Sequence, residues 1–409
     1  MHPRALKARG FFIVGDTMTQ PLETKTYEPW THQIPNNLEN EMRRHRRELH
    51  RIPEIGFDLV KTYAYLRKEL LSYGYELETV AKTGIVAYKR GRLSESLAFR
   101  ADMDGLEIQE GNSPFASEHI GRMHACGHDG HMAILLGLAK RLSKANLHKS
   151  LVLLFQPAEE TAGGAKVFID DGVLDRYNIR HVFGLHLYPE LEEGVIGTKA
   201  GLLMGKDGEF DVHIEGRNAH GSQPHLGRDA LTAAAQLINQ YQTLLPRTVS
   251  KDDAFAINIG TFHGGEARNV IGKDAFMQGS IRTFDQDTFD AMTDSMRRID
   301  KGIEYAYDVT VQNDIRSLYP PLINDEHLYH MLKPVFAGQN TATLSPLLLA
   351  EDFSFFSQKV PSLFFMLGSR NVEKGFVHPL HSDRFDFDDT LLAEGLKTFL
   401  RIGEEMGLY

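Results

Sequence analysis

The 409-residue chain is 42% hydrophobic and 24% charged, an ordinary globular balance with length for two or three structural units. Its formal net charge of −10 argues against a nucleic-acid partner, which a basic face normally serves. The single cysteine excludes a disulfide within the chain and fits a reducing, cytoplasmic setting, and no apolar run is long enough for a membrane helix.

Residues 1–35 lack a clear period, carry Pro21, Pro29 and Pro35, and read as an irregular N-terminal arm. Arg4, Lys7 and Arg9 precede an FFIV run at 11–14, which is too short for a secretory signal core. Met18 is an alternative start, so residues 1–17 read as a dispensable extension. A helix is expected from Asn37, with Leu38, Met42 and Leu49 repeating and Pro53 closing the segment. A second is expected from Asp58, with Leu59, Tyr63, Leu66 and Leu70 on one face and Gly74 as a C-terminal cap. Strands are expected at 84–90, 96–102, 151–156 and 181–186, alternating with helices at 129–143 and 163–172. In the first of these helices Ile134, Leu135 and Leu138 point inward. This alternation predicts an α/β fold with a mixed, largely parallel sheet and helices on both faces.

The texture changes near 204. A strand at 207–216 precedes a helix whose periodic residues are Leu231, Ala234, Ala235, Ile238 and Leu245. Strands at 255–262 and 274–284, a helix at 287–305 and a strand at 306–313 complete an expected α+β sandwich. Residues 319–325 read as a linker, 361–367 as a buried strand, and a last helix follows Asp388. The expected organisation is an arm (1–35), a catalytic domain in two parts (36–203 and 318–409), and an inserted domain (204–317).

The densest chemistry is MHACGHDGHMA (123–133), which holds three histidines, an aspartate and the only cysteine. In an extended loop, Cys126 and His128 share a side, so a thiolate and an imidazole can reach one metal pair. A lone cysteine is more often a small buried hydrophobe, but the cluster favours metal. FQPAEETAGG (155–164) sets two glutamates at a strand end. Adjacent carboxylates usually mean a solvated face; here one can ligate metal while its neighbour takes a proton from water. His186 ends a predicted strand in GLHLYP, and VHPLHSDRFDF (377–387) brings His378 and His381 after another. Either is unremarkable alone, yet all four features fall in the outer α/β parts. Within the insertion, GRNAHGSQPHLGRDA (216–230) is either a glycine-rich turn or a substrate contact through His220 or His225.

These motifs, with RADMDGL (100–106), GTFHGGEARNVI (260–271), GSIRTF (279–284) and EDFSFF (351–356), resemble the metallo-amidohydrolases and peptidases. That family includes hippurate hydrolase, N-acyl-amino-acid amidohydrolases and plant indoleacetyl-amino-acid hydrolases. The resemblance spans roughly 40–405. It implies a dinuclear centre with Cys126, His128, Glu160, His186 and His381 as ligands and Glu159 as general base. Cys126 stands where other branches carry a bridging aspartate. The inserted domain is implied to be a lid and dimerisation domain whose His220 enters the partner's site as an oxyanion donor. Asn269 and Arg282 are implied substrate contacts. Gly105, Glu107 and Gly272 depart from the usual family pattern without touching an inferred ligand.

The implied reaction is hydrolysis of an N-acyl-amino acid to a carboxylic acid and a free amino acid through metal-bound hydroxide. N-acetyl-diaminopimelate is one candidate substrate. A dipeptidase or carboxypeptidase using the same site is the alternative within enzymes, and a non-catalytic zinc scaffold is the alternative outside them. The donor set admits zinc, manganese, cobalt or nickel. The implied partners are a small-molecule substrate or short peptide and a second copy of the chain, with no membrane.

Overall fold

The computed structural model describes residues 33–111, 115–250, 253–336 and 340–409. The expected arm therefore lies outside the described residues up to position 32. Helix α1 (Asn36–His50) buries Leu38, Met42 and Leu49, and α2 (Val60–Ser72) buries Leu66 and Leu70, as their periods predict. Strands β1 (Glu76–Val80), β2 (Gly84–Lys89) and β3 (Ser96–Asp102) follow. Helix α3 (His128–Leu142) is apolar nearly all round and is correspondingly buried nearly all round. Strand β4 (Ser150–Gln156), helices α4 (Gly164–Asp170) and α5 (Val173–Arg176), and strand β5 (Ile179–Glu192) complete this stretch. Strands β6 (Ile196–Thr198) and β7 (Gly201–Met204) come next.

The chain then forms β8 (Lys206–Glu215), α6 (Ala230–Leu244), β9 (Phe255–Gly264), β10 (Asp274–Thr283), α7 (Gln286–Tyr307) and β11 (Thr310–Ser317). It returns through β12 (Leu322–Asn324), α8 (Glu326–Leu332), β13 (Thr341–Thr343), α9 (Ser354–Ser357), β14 (Ser362–Arg370) and α10 (Thr390–Glu405).

Eight strands make one sheet in the order β1-β2-β4-β3-β5-β14-β6-β13. Its centre, β4-β3-β5-β14, is parallel, and antiparallel pairs flank it. Strand alternation sends neighbouring residues to opposite faces. Ala98, Val182 and Phe364 join Phe168, Val173 and Phe356 from α4, α5 and α9 in one core. Phe99 and Phe365 point the other way, onto Phe399 of α10, with ring centroids 5.0 and 5.9 Å apart. Helices thus cover both faces, as expected.

The second sheet, β11-β8-β10-β9, is wholly antiparallel. It packs one face against α6 and α7 around Phe210, Ile214, Leu237, Tyr241, Met292 and Met296. Its entry and exit are pinned together: Asp207 donates its N–H to the Tyr319 carbonyl and Leu318 donates to the Asp207 carbonyl, each at 3.0 Å.

Several expectations are corrected. Ala235 is exposed; α6 turns Ala230, Ala233, Ala234, Leu237 and Tyr241 inward and leaves Leu231 and Ile238 at the margin. Leu237 and Tyr241 share the buried stripe with these alanines, and Leu231 and Ile238 flank it. The strand expected at 306–313 begins at Thr310, because α7 runs to Tyr307 and ends on Asp308 at φ 54°. The linker at 319–325 contains β12, which pairs with β7. The strand at 181–186 is longer in both directions, because β14 pairs with β5 as far as Glu192. The helix at 163–172 is shorter, and Gly172 at φ 77° starts a separate turn. Strands β1, β6, β7 and β13 were not foreseen; they are short and carry no period of their own.

Candidate metal centre

A charged residue in a fully buried strand has to be paired, because an isolated charge there is too costly to desolvate. Arg100 lies in the central strand β3 and is buried. Its Nε donates to Gln156 Oε1 at 2.8 Å, its Nη1 to Asp102 at 2.9 Å, and its Nη2 to Asp352 at 2.8 Å. Nη2 also stands 2.9 Å from Glu351. Asp352 in turn accepts from Gln156 Nε2 at 2.7 Å and the Ala165 N–H at 3.0 Å. One guanidinium thus ties the carboxyl ends of β3 and β4 to the 351–352 loop. Ends of this kind are where α/β sheets carry their sites.

Beyond β4 the chain turns through Ala158 at φ 60°, a left-handed conformation that a side chain rarely adopts. The turn is held from outside. Asp104 accepts the Glu159 N–H on one carboxylate oxygen and the Glu160 N–H on the other, both at 3.1 Å. Tyr319 donates to the Glu159 carbonyl at 2.7 Å. Strain that persists only because its surroundings over-determine it is typical of functional sites.

Cys126 and His128 do share a side, but not in the extended loop expected from their spacing. Gly127, at φ 84°, turns the chain left-handed into α3, and His128 is the first residue of that helix. A Cβ at Gly127 would meet the Leu187 side chain at 3.1 Å. The result brings donor atoms of Cys126, His128 and Glu160 within 4.8 Å of one another. Cys126 Sγ is also 3.4 Å from His186 Nε2, so the thiol faces both histidines. His381 completes the group with Nε2 3.3 Å from Glu160 Oε1. Its loop is anchored by its own N–H donating to the Ala125 carbonyl at 2.9 Å.

The imidazole tautomers are set from behind. His128 Nδ1 donates to the Asp104 carbonyl at 2.8 Å, and His186 Nδ1 donates to the Leu187 carbonyl at 2.7 Å. Each Nε2 lone pair is thereby turned toward the cluster, the usual preparation of a metal-binding histidine. His131 is different. Its Nδ1 donates to Asp102 at 2.7 Å and its Nε2 accepts the Leu187 N–H at 3.0 Å, so both ring nitrogens are committed.

The electrostatics call for a cation. His128 Nε2 and Glu160 Oε1 are buried without a hydrogen-bond partner. Burial opposes charge on His128, yet Asp102, Asp104 and Glu160 push its pKa up to about 10. Burial also opposes charge on Glu160, but His381 and His128 hold it down at about 2. Burial, then Glu160 and Glu159, keeps the Cys126 thiol well above its usual range. Buried thiol, imidazole and carboxylate donors with free lone pairs fit divalent ions of the zinc type.

Glu159 diverges from Glu160, toward Glu351 and Asp352. Burial first, then Glu351 and Glu160, raises its pKa well above the carboxylate range. Both glutamates, Cys126, His186 and His381 line one cavity of about 430 Å³ that also includes Arg282. Arg282 Nη1 lies 2.7 Å from Asp207 Oδ1. His220 and Asn269 do not line this cavity. They sit together on the other sheet's unit, both exposed, where the Gly221 N–H donates to the Asn269 carbonyl at 2.8 Å. His220 Nδ1 accepts from Ser222 Oγ at 2.7 Å. His225 is exposed in the same segment, and His378 lines a different cavity.

Reading single motifs misses Arg100, Asp102, Asp104, His131, Glu351 and Asp352 as one support. The available signal was charge inside apolar context: an RAD sequence ending a buried strand, and an ED pair before FSFF.

The peptidase family M20/M25/M40 profile matches residues 98–405. The chain is 36% identical over 354 residues to the N-acetyldiaminopimelate deacetylase of Bacillus subtilis, covering 85% of this chain and 93% of that one. It is 33% identical over 374 residues to the hippurate hydrolase of Campylobacter jejuni, covering 90% and 96%. Its fold matches the Bacillus subtilis YxeP protein, a dinuclear metal-binding peptidase from the M20 family, at a TM-score of 0.77 and 30% identity, covering 91% and 99%. With most of its length matched by the family and by relatives above 30% identity, the chain belongs to peptidase family M20/M25/M40.

Proposed function

We propose that this protein is a metal-dependent amidohydrolase that cleaves N-acyl-amino acids to a carboxylic acid and a free amino acid. The observation that carries this reading is the convergence of Cys126, His128 and Glu160 donors within 4.8 Å, with Glu159 held beside them in the same cavity. The names of the relatives, a deacetylase and a hippurate hydrolase, support the amide class, and N-acetyl-diaminopimelate is the first substrate to test.

Cys126, His128, Glu160, His186 and His381 would hold the ions. When bound, two divalent ions polarise the amide carbonyl and make a water acidic near neutral pH. Zinc suits the thiolate; manganese, cobalt and nickel suit the remaining donors. Glu159 takes the proton of the attacking water, for which its place in the cavity beside Glu160 suits it. It then delivers that proton to the amine as the C–N bond breaks. Arg282 faces the cavity as a carboxylate-binding cation.

His220 is read as the oxyanion donor of a partner subunit's site. Its exposure and its absence from the cavity lining of its own chain support this. Residues 204–317 are then the lid and dimerisation unit, and the protein works as a homodimer. A cytoplasmic location is part of the same reading, supported by the single cysteine. Among the described residues no helix is long and apolar enough to cross a membrane.

The test is a panel of N-acetyl- and N-benzoyl-amino acids, N-acetyl-diaminopimelate and dipeptides, with metal content measured on the same sample. Cleavage of the acylated compounds over dipeptides is expected. Preference for dipeptides would move the protein to the peptidases, and inactivity throughout with full metal would leave a zinc scaffold.

A further inference from the structure

A second group of donors overlaps the first. Asp102, His128, His131 and His186 are all buried, and each offers an atom within 4.8 Å of the others. His128 and His186 already count among the candidate ligands; Asp102 and His131 do not. His131 follows His128 by three positions on α3, so the two rings share a face of the helix. The His131 ring centroid stands 5.5 Å from that of His128 and 4.6 Å from that of His186.

His131 is not a further ligand. A metal-binding imidazole needs a free lone pair, and that of His131 Nε2 is taken by the Leu187 N–H at 3.0 Å. Because Nε2 accepts, the ring carries its proton on Nδ1, which donates to Asp102 Oδ1 at 2.7 Å. The other oxygen of Asp102 accepts from Arg100 Nη1 at 2.9 Å, so the carboxylate is held on both sides.

What His131 holds is the backbone beside His186. Strand β3 pairs with β5 only as far as Arg100 opposite Gly184. Beyond that point β5 keeps β14 on one side and, among the described residues, has no strand on the other. There His131 takes the Leu187 N–H in place of a strand carbonyl. The carbonyl of the same Leu187 accepts from His186 Nδ1 at 2.7 Å. The Leu187 side chain packs behind, where a Cβ at Gly127 or Gly130 would meet it at 3.1 or 3.0 Å. One path thus runs from Arg100 through Asp102, His131 and Leu187 to His186, whose Nε2 stands 3.4 Å from Cys126 Sγ. His128 and His381 are anchored elsewhere, on the carbonyls of Asp104 and Ala125.

We propose that His131, fixed by Asp102, is a positioning residue that aims His186 at the metal centre and so sets the affinity for the ion that His186 holds. The inference rests on the metal-dependent reading above and adds the support on which one of its ligands depends.

The test titrates the metal-free full chain with cobalt(II), following its visible absorption bands with a chromophoric chelator as competitor. His131→Asn keeps an N–H for Asp102 but does not reach the Leu187 N–H. His131→Gln reaches that far, and its carboxamide oxygen can accept. The asparagine variant should bind one of the two ions about 10–100-fold more weakly, with a changed cobalt spectrum, and the other as the wild type does. The glutamine variant should recover most of the lost affinity. Wild-type binding of both ions by His131→Asn overturns the proposal. An equal loss of both ions in the two variants overturns it too, since that marks a general loosening. Nitrogen-15 histidine spectra of the metal-free wild type give a check that needs no variant: His131 and His186 should each appear as the Nδ1–H tautomer alone, and a mixture at either ring overturns the proposal. Cobalt binding is read without substrate, so the two levels of the argument fail separately. A protein that shows the contrast between the two variants but cleaves no N-acyl compound keeps the positioning role and loses the amidohydrolase reading; one that cleaves such compounds without the contrast does the reverse.

Discussion

The side chains around Cys126 and those around His220 are held in opposite ways. Near Cys126 the supports are buried and hold the site from behind: His128 by the Asp104 carbonyl, the 159–160 turn by the Asp104 carboxylate, the strand ends by Arg100. Near His220 the chain is a surface turn, and the ring is held only by Ser222, two residues on. The first arrangement is complete within one chain; the second points outward. Pre-organised charge is most effective in a dry site, whereas a group that must reach another surface has to stay exposed until it gets there.

This contrast can be broken at either end. The largest effect is expected from Glu159→Gln, which should lower kcat by about 10²–10⁴-fold while metal content, read by elemental mass spectrometry, stays the same. Loss of metal instead would exchange the roles of Glu159 and Glu160. Next is Arg100→Ala, which leaves Asp102 and Asp352 buried without their shared cation. It should cost about 3–5 kcal/mol in urea unfolding. His220→Ala should lower turnover by about 2.7–4 kcal/mol of transition-state stabilisation, with an unchanged melting temperature because the residue is exposed. Mixing it with Glu159→Gln sharpens the test. If His220 acts across a dimer, one site of each mixed dimer has both groups, and activity absent from either parent returns.

The smallest effect concerns pH. His50 is buried, which opposes its charge, but Asp129 and Glu110 raise its pKa from 6.5 to about 9. A histidine raised on folding contributes fully below its unfolded pKa and loses that contribution as pH rises through its folded one. The melting temperature should therefore decline by a few degrees between pH 6.5 and 9 in the wild type, and less in His50→Gln.

What was legible in the sequence follows the same division. The 159–160 pair could be read because it follows the apolar run of β4, and strand ends carry sites in α/β folds, whereas His186 lies inside β5 and not at its end. The adjacent glutamates could be given separate roles, since neighbouring side chains diverge. Arg100 and Asp352 could not be paired in advance: they are 252 positions apart, and no local period links them. The left-handed Gly127 was hidden for a related reason. A side chain there would meet Leu187 and Phe385, which are distant in the sequence and leave no local signal. In α6 the period is legible and one position is misplaced: Ala234 meets the core beside Leu237, whereas its neighbour Ala235 faces solvent.

The pinned entry and exit of the second sheet carry a consequence for how such proteins diversify. Because Asp207 and the Leu318–Tyr319 pair are held side by side by two backbone hydrogen bonds, everything between them hangs from one narrow neck. Such a segment can be exchanged, or replaced by a short splice, without moving a strand of the eight-stranded sheet. The second sheet beyond the neck is then free to drift at a different pace from the Cys126 cluster behind it.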